Sequence, residues 1–131
     1  MVDIASEKSA LVSILTQTGR LSEDPDTCAV ICDNVKGLGV TLDPSTFAHG
    51  ESAGRDYEKL MKYTYNVHLR DSGKDAFQVR VGRGEIEYSK VVALLRRAKY
   101  NRGLTVNMRP LPEIDHDSEL RKMRLLLESL L

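Results

Sequence analysis

Apolar and polar residues alternate along four short segments of the chain. In the second segment, Val40 and Leu42 alternate with Thr41 and Asp43. An alternation of period two predicts β-strands with one apolar and one polar face. The predicted strands are Leu11–Thr16, Gly39–Asp43, Tyr65–Arg70 and Gly103–Met108.

Apolar residues at helical spacing follow the strands. The first helix is predicted to begin at a cap on Asp24, to carry Pro25 in its first turn and to stop at Gly37. Further helices are predicted over residues 54–64 and 88–100. The last is built on residues 120–130 and capped by Asp117 or Ser118.

Strand and helix therefore alternate four times, which predicts an α/β fold with parallel strands and right-handed crossovers. No linker divides the chain, so residues 1–131 form one predicted domain. A parallel sheet covered on both sides is apolar on both faces. Here one face is polar, which favours an arc of a barrel with outer helices and an interior that holds a site.

Composition narrows the class of partner. Lys plus Arg and Asp plus Glu each number 19, so the formal net charge is zero. This argues against nucleic acid, which favours a basic surface. No run approaches the roughly 18 apolar residues of a membrane span, and the N-terminus lacks the pattern of a signal peptide. Cys28 and Cys32 fit the core stripe of a helix better than a disulfide or metal site, so a reducing, cytoplasmic setting is expected.

The last residues on the polar face lie near the carboxyl ends of the predicted strands. They are Leu15, Asp43, His68 and Asn107. Ligands bind at this edge in barrels and in open α/β sheets. Asp43 and His68 would lie on neighbouring strands and could form a divalent-metal pair. The alternative is that Asp43 starts an Asx-turn and His68 is a hydrogen-bonded interior histidine.

Three stretches together resemble a known superfamily. They are "GRLSEDPDT", "GLGVTLDPSTF" and the run that contains "VHLRD" and "VGRGEIEY". In this order they are similar to the C-terminal half of the xylose-isomerase-like TIM barrels, over roughly residues 10–131. That superfamily includes sugar isomerases, sugar-phosphate epimerases and endonuclease-IV-type DNA repair enzymes. The resemblance implies a half barrel that corresponds to strands five to eight of a (β/α)8 fold.

The resemblance also implies a set of metal ligands, usually Glu, Asp, His and Glu, one on each strand. Asp43 and His68 match the middle two. Leu15 and Asn107 stand where the glutamates are expected, and Gln17 and Thr46 stand where histidines often occur. Leucine can neither bind a metal nor accept a proton, and asparagine is no base. A divalent metal (Mn, Mg, Zn or Co) is therefore expected to be held weakly.

The resemblance implies metal polarisation of a carbonyl and carboxylate-mediated proton transfer in a sugar isomerase or epimerase. With two carboxylates replaced, this chain is expected to show weak or no catalysis alone. The alternative is a non-catalytic binding or assembly module derived from the same fold, which holds a partner or a small carbohydrate. The DNA-repair branch ranks lowest.

Three further groups could bind substrate. Arg70, Asn107 and Arg109 lie near strand ends and could meet a small carbohydrate or an anionic substrate, although solvated or salt-bridged arginines are the common alternative. The glycines of Gly82–Gly84 could bind phosphate, but they lack the Lys-Ser/Thr signature of a P-loop. A mobile loop beside the barrel mouth is the favoured interpretation of this segment.

Half a barrel leaves two open sheet edges. We expect the chain to form a homodimer. The alternatives are that it pairs with a separate N-terminal half barrel or closes a distorted sheet on itself.

Overall fold

The four predicted strands form one parallel sheet. The computed structural model describes residues 1–131. The strands are β1 (Val12–Leu15), β2 (Leu38–Leu42), β3 (Thr64–Leu69) and β4 (Leu104–Val106). They lie in the order β1-β2-β3-β4, and each neighbouring pair is parallel. The predicted α/β arrangement of four parallel strands is thus confirmed.

Four α-helices accompany the sheet. They are α1 (Val2–Glu7), α2 (Pro25–Asn34), α3 (Tyr88–Arg97) and α4 (His116–Leu130). Asp24 caps α2 as predicted, because its Oδ2 accepts hydrogen bonds from the backbone N–H and the hydroxyl of Thr27 at 3.0 and 2.6 Å. No helix is both long enough and apolar enough to cross a membrane.

The helix predicted over residues 54–64 is wrong in type and extent. The segment contains a 3₁₀ helix, Glu58–Tyr63, and β3 already begins at Thr64. Gly54 has a φ of +83°, which interrupts a helix, and the Asp56 carboxylate accepts the N–H of Glu58, which starts the turn late. Leu60 and Met61 are buried, so the apolar side was predicted correctly.

The start of the last helix also differs from the prediction. Asp115 occupies the N-cap position of α4, so Asp117 and Ser118 lie inside its first turn rather than at its cap. Asp117 remains favourable there because acidic groups stabilise the positive end of the helix dipole. The helix α1 has no apolar periodicity and buries no residue, which explains why its sequence gives no signal.

The core lies between the outer face of the sheet and the helices. Val40, Leu42, Val67 and Leu69 point outward from β2 and β3 and are at most 1% exposed. The helices cover them with Cys28, Cys32, Val91, Leu95, Met123 and Leu127. Both cysteines are free thiols in this core, as their spacing indicated.

The inner face of the sheet carries hydrogen bonds between polar side chains of adjacent strands. The hydroxyls of Ser13 and Thr41 lie 2.6 Å apart, and the Thr105 hydroxyl donates to Oδ1 of Asn66 at 3.0 Å. The predicted alternation therefore produces a polar surface whose neutral groups bond to one another.

One glycine on the inner face is required by packing. A Cβ at Gly39 would lie 2.2 Å from the ring of Tyr65, so no larger residue fits there without a shift of the ring. The register between β2 and β3 shifts at this point, between Val40 and Thr41. The Arg102 guanidinium lies 5.0 Å from the Tyr65 ring centroid.

Candidate active site at the carboxyl ends of the strands

Asp43 directly follows β2 and is 1% exposed. Pro44 begins a 3₁₀ turn, Pro44–Phe47, and Oδ1 of Asp43 accepts the backbone N–H of Ser45 at 3.0 Å. The N–H of Asp43 itself donates to the Thr16 hydroxyl at 2.8 Å. Asp43 therefore forms the Asx-turn of the alternative interpretation. It is also hydrogen-bonded to the segment that follows β1.

The second oxygen of Asp43 is paired with Arg70. Nη2 of Arg70 donates to Oδ2 at 2.7 Å, and the two side chains are 7% and 2% exposed. The guanidinium also lies 4.7 Å from the ring centroid of Phe77. Its Nε is buried and has no hydrogen-bond partner. The ion pair is thus shielded from solvent at the mouth of the sheet.

Tyr88 fixes the backbone of this arginine. Its hydroxyl donates to the carbonyl oxygen of Arg70. Burial raises the pKa of Tyr88 well above its usual range, and the carboxylates of Asp71 and Asp43 raise it further. The phenol therefore stays protonated and serves as a donor rather than as a base.

Asp43 and Arg70 neutralise each other's charge. Arginine is a permanent cation, so it neutralises the carboxylate that the resemblance assigns to a metal. A divalent ion that binds Asp43 would have to displace the guanidinium from the carboxylate. The ion would then lie close to a second positive charge. Of the two interpretations of Arg70, the salt-bridged side chain is the one that its surroundings match.

His68 and Asn107 form a second pair on the inner face. Nδ2 of Asn107 lies 3.0 Å from Nδ1 of His68, and both residues are half-buried. This contact engages Nδ1 of His68, and Nε2 has no hydrogen-bond partner within the chain. His68 thus resembles the hydrogen-bonded interior histidine of the alternative interpretation.

The remaining positions of the expected ligand set carry no acid. Leu15 is 37% exposed at the open edge of the inner face, and Gln17 is exposed. Thr46 is buried, and its hydroxyl donates to the carbonyl oxygen of Thr16 at 3.0 Å. Nowhere in the chain do three or more His, Cys, Asp or Glu side chains come together in a way that could hold a metal ion.

The backbone N–H groups of the segment Gly82–Gly84 bind a side-chain carboxylate of the same chain. Oδ2 of Asp71 accepts the N–H groups of Gly82 and Gly84 at 2.7 and 3.0 Å, and Oδ1 accepts the N–H of Ser72 at 3.1 Å. A Cβ at Gly84 would lie 2.0 Å from Oδ1 of Asp71. These N–H groups are therefore not free for a phosphate, and the segment predicted to be mobile is attached to the end of β3.

Arg109 follows β4 and is exposed to solvent. Its backbone N–H donates to Oε1 of Gln78 at 2.8 Å, and its carbonyl oxygen accepts from Nε2 of Gln78 at 2.7 Å. Its side chain is exposed and forms no ion pair. Of the three predicted substrate-binding residues, Asn107 is thus half-buried and Arg109 exposed, whereas Arg70 is buried in its ion pair.

Asp71 is the residue that sequence reasoning missed. It stands inside "VHLRD", directly after a strand and before a glycine-containing segment. Carboxylates in this position bind backbone N–H groups of the loop that follows. The position of Asp71 at the end of a strand could therefore have predicted its contact with this loop. Its 2% exposure shows that the group is structural.

Solved structures with the same fold share little sequence with this chain. A D-tagatose 3-epimerase-like protein matches with 20% identity and a TM-score of 0.76, over 98% of this chain and 50% of that one. A xylose isomerase domain protein from Planctomyces limnophilus matches with 19% identity and a TM-score of 0.73, over 98% and 48%. A 3-keto-D-glucoside 4-epimerase from E. coli, solved in its apo form, matches with 12% identity and a TM-score of 0.75, over 97% and 49%.

These matches confirm the predicted fold, in which four parallel strands with helices correspond to half of a TIM barrel. The chain spans about half the length of each solved structure. No family model matches it, and no curated protein sequence does.

Proposed function

We propose that the chain is half of a sugar isomerase/epimerase-like barrel whose divalent-metal site is degraded. Its solved neighbours include epimerases and a xylose isomerase domain protein, which supports the class of substrate. Weak or no catalysis is expected from the chain alone. A cytoplasmic location is part of the proposal and is supported by the two free thiols in the core.

The buried ion pair between Asp43 and Arg70 carries this proposal. A metal such as Mn, Mg, Zn or Co would supply carbonyl polarisation in this class of site. The residues present do not fit such an ion, because Asp43 already has a cation at 2.7 Å and His68 is bonded to Asn107. Asp43 and His68 therefore hold a metal weakly, and no catalytic step is assigned to one.

The inner face can still bind a polar ligand. The half-buried Asn107 side chain offers an amide, and the exposed Arg109 offers a guanidinium with no acidic partner. Together they suit a small carbohydrate that carries hydroxyl groups or an anionic substituent. Neither group can abstract a proton from carbon, and Leu15 has no group that could.

Exchange of carbon-bound protons tests the proposal directly. The purified chain is incubated in D₂O with aldose–ketose and epimer pairs in the presence of Mn²⁺, Mg²⁺, Co²⁺ or Zn²⁺, and deuterium incorporation is followed by NMR. No incorporation above the metal-only control is expected. Rapid exchange that is lost in Asp43→Ala and retained in the exposed control Asp75→Ala would contradict it.

A non-catalytic binding or assembly module is the second candidate. The two unpaired edges of the sheet, at β1 and β4, favour it. Titration of the chain with a panel of small sugars and sugar phosphates, followed by NMR shifts of His68 and Asn107, tests whether the inner face binds a ligand. Saturable shifts with no proton exchange at any metal concentration support the binding module, whereas slow metal-dependent exchange supports a residual isomerase or epimerase.

A further inference from the structure

Both edge strands of the sheet are paired on one side only. β1 pairs with β2, and β4 pairs with β3, so each leaves a row of backbone groups open along its other side. We propose that a second copy of this chain covers the inner face, with β4 of each copy pairing with β1 of the other. The result is a closed assembly of eight parallel strands. This inference concerns assembly and does not depend on the proposed function.

A pocket with a mixed but mainly apolar lining lies beside β1. We call it the β1-edge pocket; its volume is about 570 Å³, and its lining includes Met1, Val2, Val12, Ile14, Val35 and Leu38. Five of the exposed large apolar side chains of the protein lie at or near this edge: Met1, Ile4, Leu11, Leu15 and Val35. A cluster of this kind marks a protein interface rather than a solvated surface.

A second apolar pocket flanks β4. We call it the β4-edge pocket; its volume is about 270 Å³, and its lining includes Val92, Leu95, Tyr100, Leu104 and Leu131. Each pocket includes the first residue of its edge strand, Val12 or Leu104. Two parallel edges that meet in a closed ring therefore bring the pockets together at the same end of the strands.

Each edge pocket also contains charged groups. The β4-edge pocket contains Arg102, which forms no ion pair within the chain, and Arg96, which donates to the terminal oxygen of Leu131. The β1-edge pocket contains Asp3, which forms no ion pair within the chain, together with Lys36 and the amino group of Met1. Asp3 of one copy and Arg102 of the other are therefore the opposite charges that this junction could pair.

The inner face is suited to burial against a copy of itself. Most side chains on this face are uncharged, and they include Ser13, Leu15, Thr41, Asn66, His68, Thr105 and Asn107. The charged groups are the Asp43–Arg70 ion pair at the carboxyl end and the Arg102 guanidinium, which lies 5.0 Å from the centroid of the Tyr65 ring beside Gly39. Burial of this face against a copy therefore leaves no carboxylate without a cation.

Closure by two copies gives the eight strands of a full barrel and is compatible with two-fold symmetry. One copy supplies four parallel strands and matches about half of each solved barrel. A two-fold axis along the barrel makes two identical β4–β1 junctions and leaves no open edge. A contact between two β1 edges or two β4 edges would close as a dimer but leave two strand edges unpaired, and a β4–β1 contact that does not close would continue into larger aggregates.

Two complementary variants test the junction. Val12→Lys places a cation at the β1 edge, and Leu104→Glu places an anion at the β4 edge. Sedimentation of the wild-type chain should give twice the 14.7 kDa chain mass. Each variant alone should give the mass of one chain, because it places two unpaired charges in the interface. Val30→Lys, on an exposed position of α2, is the matched control and should remain dimeric.

An equal mixture of the two variants should recover the dimer. One junction of the mixed dimer is then wild type, and the other places the introduced lysine against the introduced glutamate. A contact between two β1 edges or two β4 edges would not show this rescue. Circular dichroism confirms folding of each variant, and Leu131→Glu, at an exposed position of the β4-edge pocket, replaces Leu104→Glu if the latter is unfolded.

Three results would overturn the proposal. A folded wild-type chain that sediments as a monomer at tens of micromolar would show that something other than a second copy covers the face. Open aggregates that grow with concentration would exclude two-fold closure. A dimer that survives in both charge variants, or is not restored by mixing them, would exclude the β4–β1 junction.

Discussion

The guanidinium of Arg70 lies 2.7 Å from the carboxylate of Asp43, and both side chains are almost completely buried. The resemblance assigns Asp43 to a metal, yet the counter-ion of its carboxylate is a side chain of the same protein. Its other oxygen caps the turn at Ser45. The proline that follows Asp43 starts that turn, so the motif "LDP" serves local structure here as well as the placement of a charge.

Removal of the guanidinium should destabilise the fold strongly. Arg70→Met keeps much of the side-chain volume but leaves Asp43 as a buried, unpaired carboxylate. The free energy of unfolding should fall by about 3–5 kcal/mol, the range for breaking one side of a buried ion pair. Urea unfolding followed by circular dichroism measures this change.

The double variant Arg70→Met/Asp43→Asn separates the charge from the packing. It should recover part of the lost stability, because the introduced amide is uncharged but can still accept from the N–H of Ser45. Arg97→Met is the matched control, since Arg97 pairs with Glu58 at 2.8 Å on the exposed surface. Its effect should stay within about 1 kcal/mol. Equal losses in Arg70→Met and Arg97→Met would contradict the assigned role of the buried pair.

Restoration of the two missing carboxylates should create a metal site. We expect no sub-micromolar site for Mn²⁺ or Zn²⁺ in the wild-type chain by calorimetry. Leu15→Glu/Asn107→Glu places acids where the resemblance expects them, next to Asp43 and His68. The affinity for Mn²⁺ should rise at least about tenfold, because the number of charged ligands sets the affinity of hard-cation sites.

The control for this gain adds the same charge elsewhere. Leu125→Glu/Asn101→Glu changes two exposed positions, one on α4 and one in the turn that precedes β4. Its Mn²⁺ affinity should remain that of the wild type. A sub-micromolar Mn²⁺ site in the wild-type monomer, or an equal gain in both double variants, would count against a degraded site.

The strands and the polar inner face were predictable from sequence because period-two alternation reports directly which side of a strand is buried. Ser13 and Thr41 follow this rule, and so do Asn66 and Thr105. The 54–64 helix was wrong because Tyr57, Leu60 and Met61 fill a single turn, and one turn at helical spacing does not distinguish an α-helix from a 3₁₀ helix.

The partners of the candidate site were less predictable. The pair Asp43–Arg70 joins residues 27 positions apart, and its existence depends on the register of β2 against β3 rather than on either motif. The contact of Asp71 with Gly82 and Gly84 depends on the path of a loop that returns to the strand end. Sequence motifs place a carboxylate at a strand end but do not say which group satisfies it.

Glu119 should make the free energy of unfolding depend on pH in the acidic range. Its carboxylate lies 2.7 Å from Nζ of Lys122 and accepts the N–H of Val81 at 2.8 Å. The hydrogen bond from Lys122 is the main cause that lowers the pKa of Glu119 below its usual value. A lowered pKa stabilises the fold above the unfolded pKa of about 4.3, and this contribution is lost as the pH falls through the folded value.

Glu119→Gln should therefore be less stable than the wild type at pH 7, and the difference should shrink toward pH 3. Urea unfolding at pH 7, 5 and 3 gives the comparison. Glu128→Gln is the control, because Glu128 pairs with Arg124 on the exposed face of α4. It should show little difference at any pH. A Glu119→Gln deficit that stays constant from pH 7 to pH 3 would refute the linkage.

The attachment of the glycine segment to Asp71 gives the last prediction. A side chain at Gly84 would place its Cβ 2.0 Å from Oδ1 of Asp71 and 2.5 Å from the carbonyl oxygen of Ser72, which is backbone and cannot rotate away. Gly84→Ala should thus displace the loop and lower the free energy of unfolding by about 1–3 kcal/mol, as overpacking does elsewhere.

Gly103→Ala is the matched control, because nothing lies within 4 Å of a Cβ there and its φ is not positive. Its stability should change by less than about 0.5 kcal/mol. Amide hydrogen exchange adds a local measurement, since the N–H of Gly82 donates to Asp71 at 2.7 Å and should lose protection in Gly84→Ala. Protection at Gly82 that equals the wild type in this variant would mean that the loop does not depend on the Asp71 carboxylate, and the phosphate interpretation of its N–H groups would then have to be reopened.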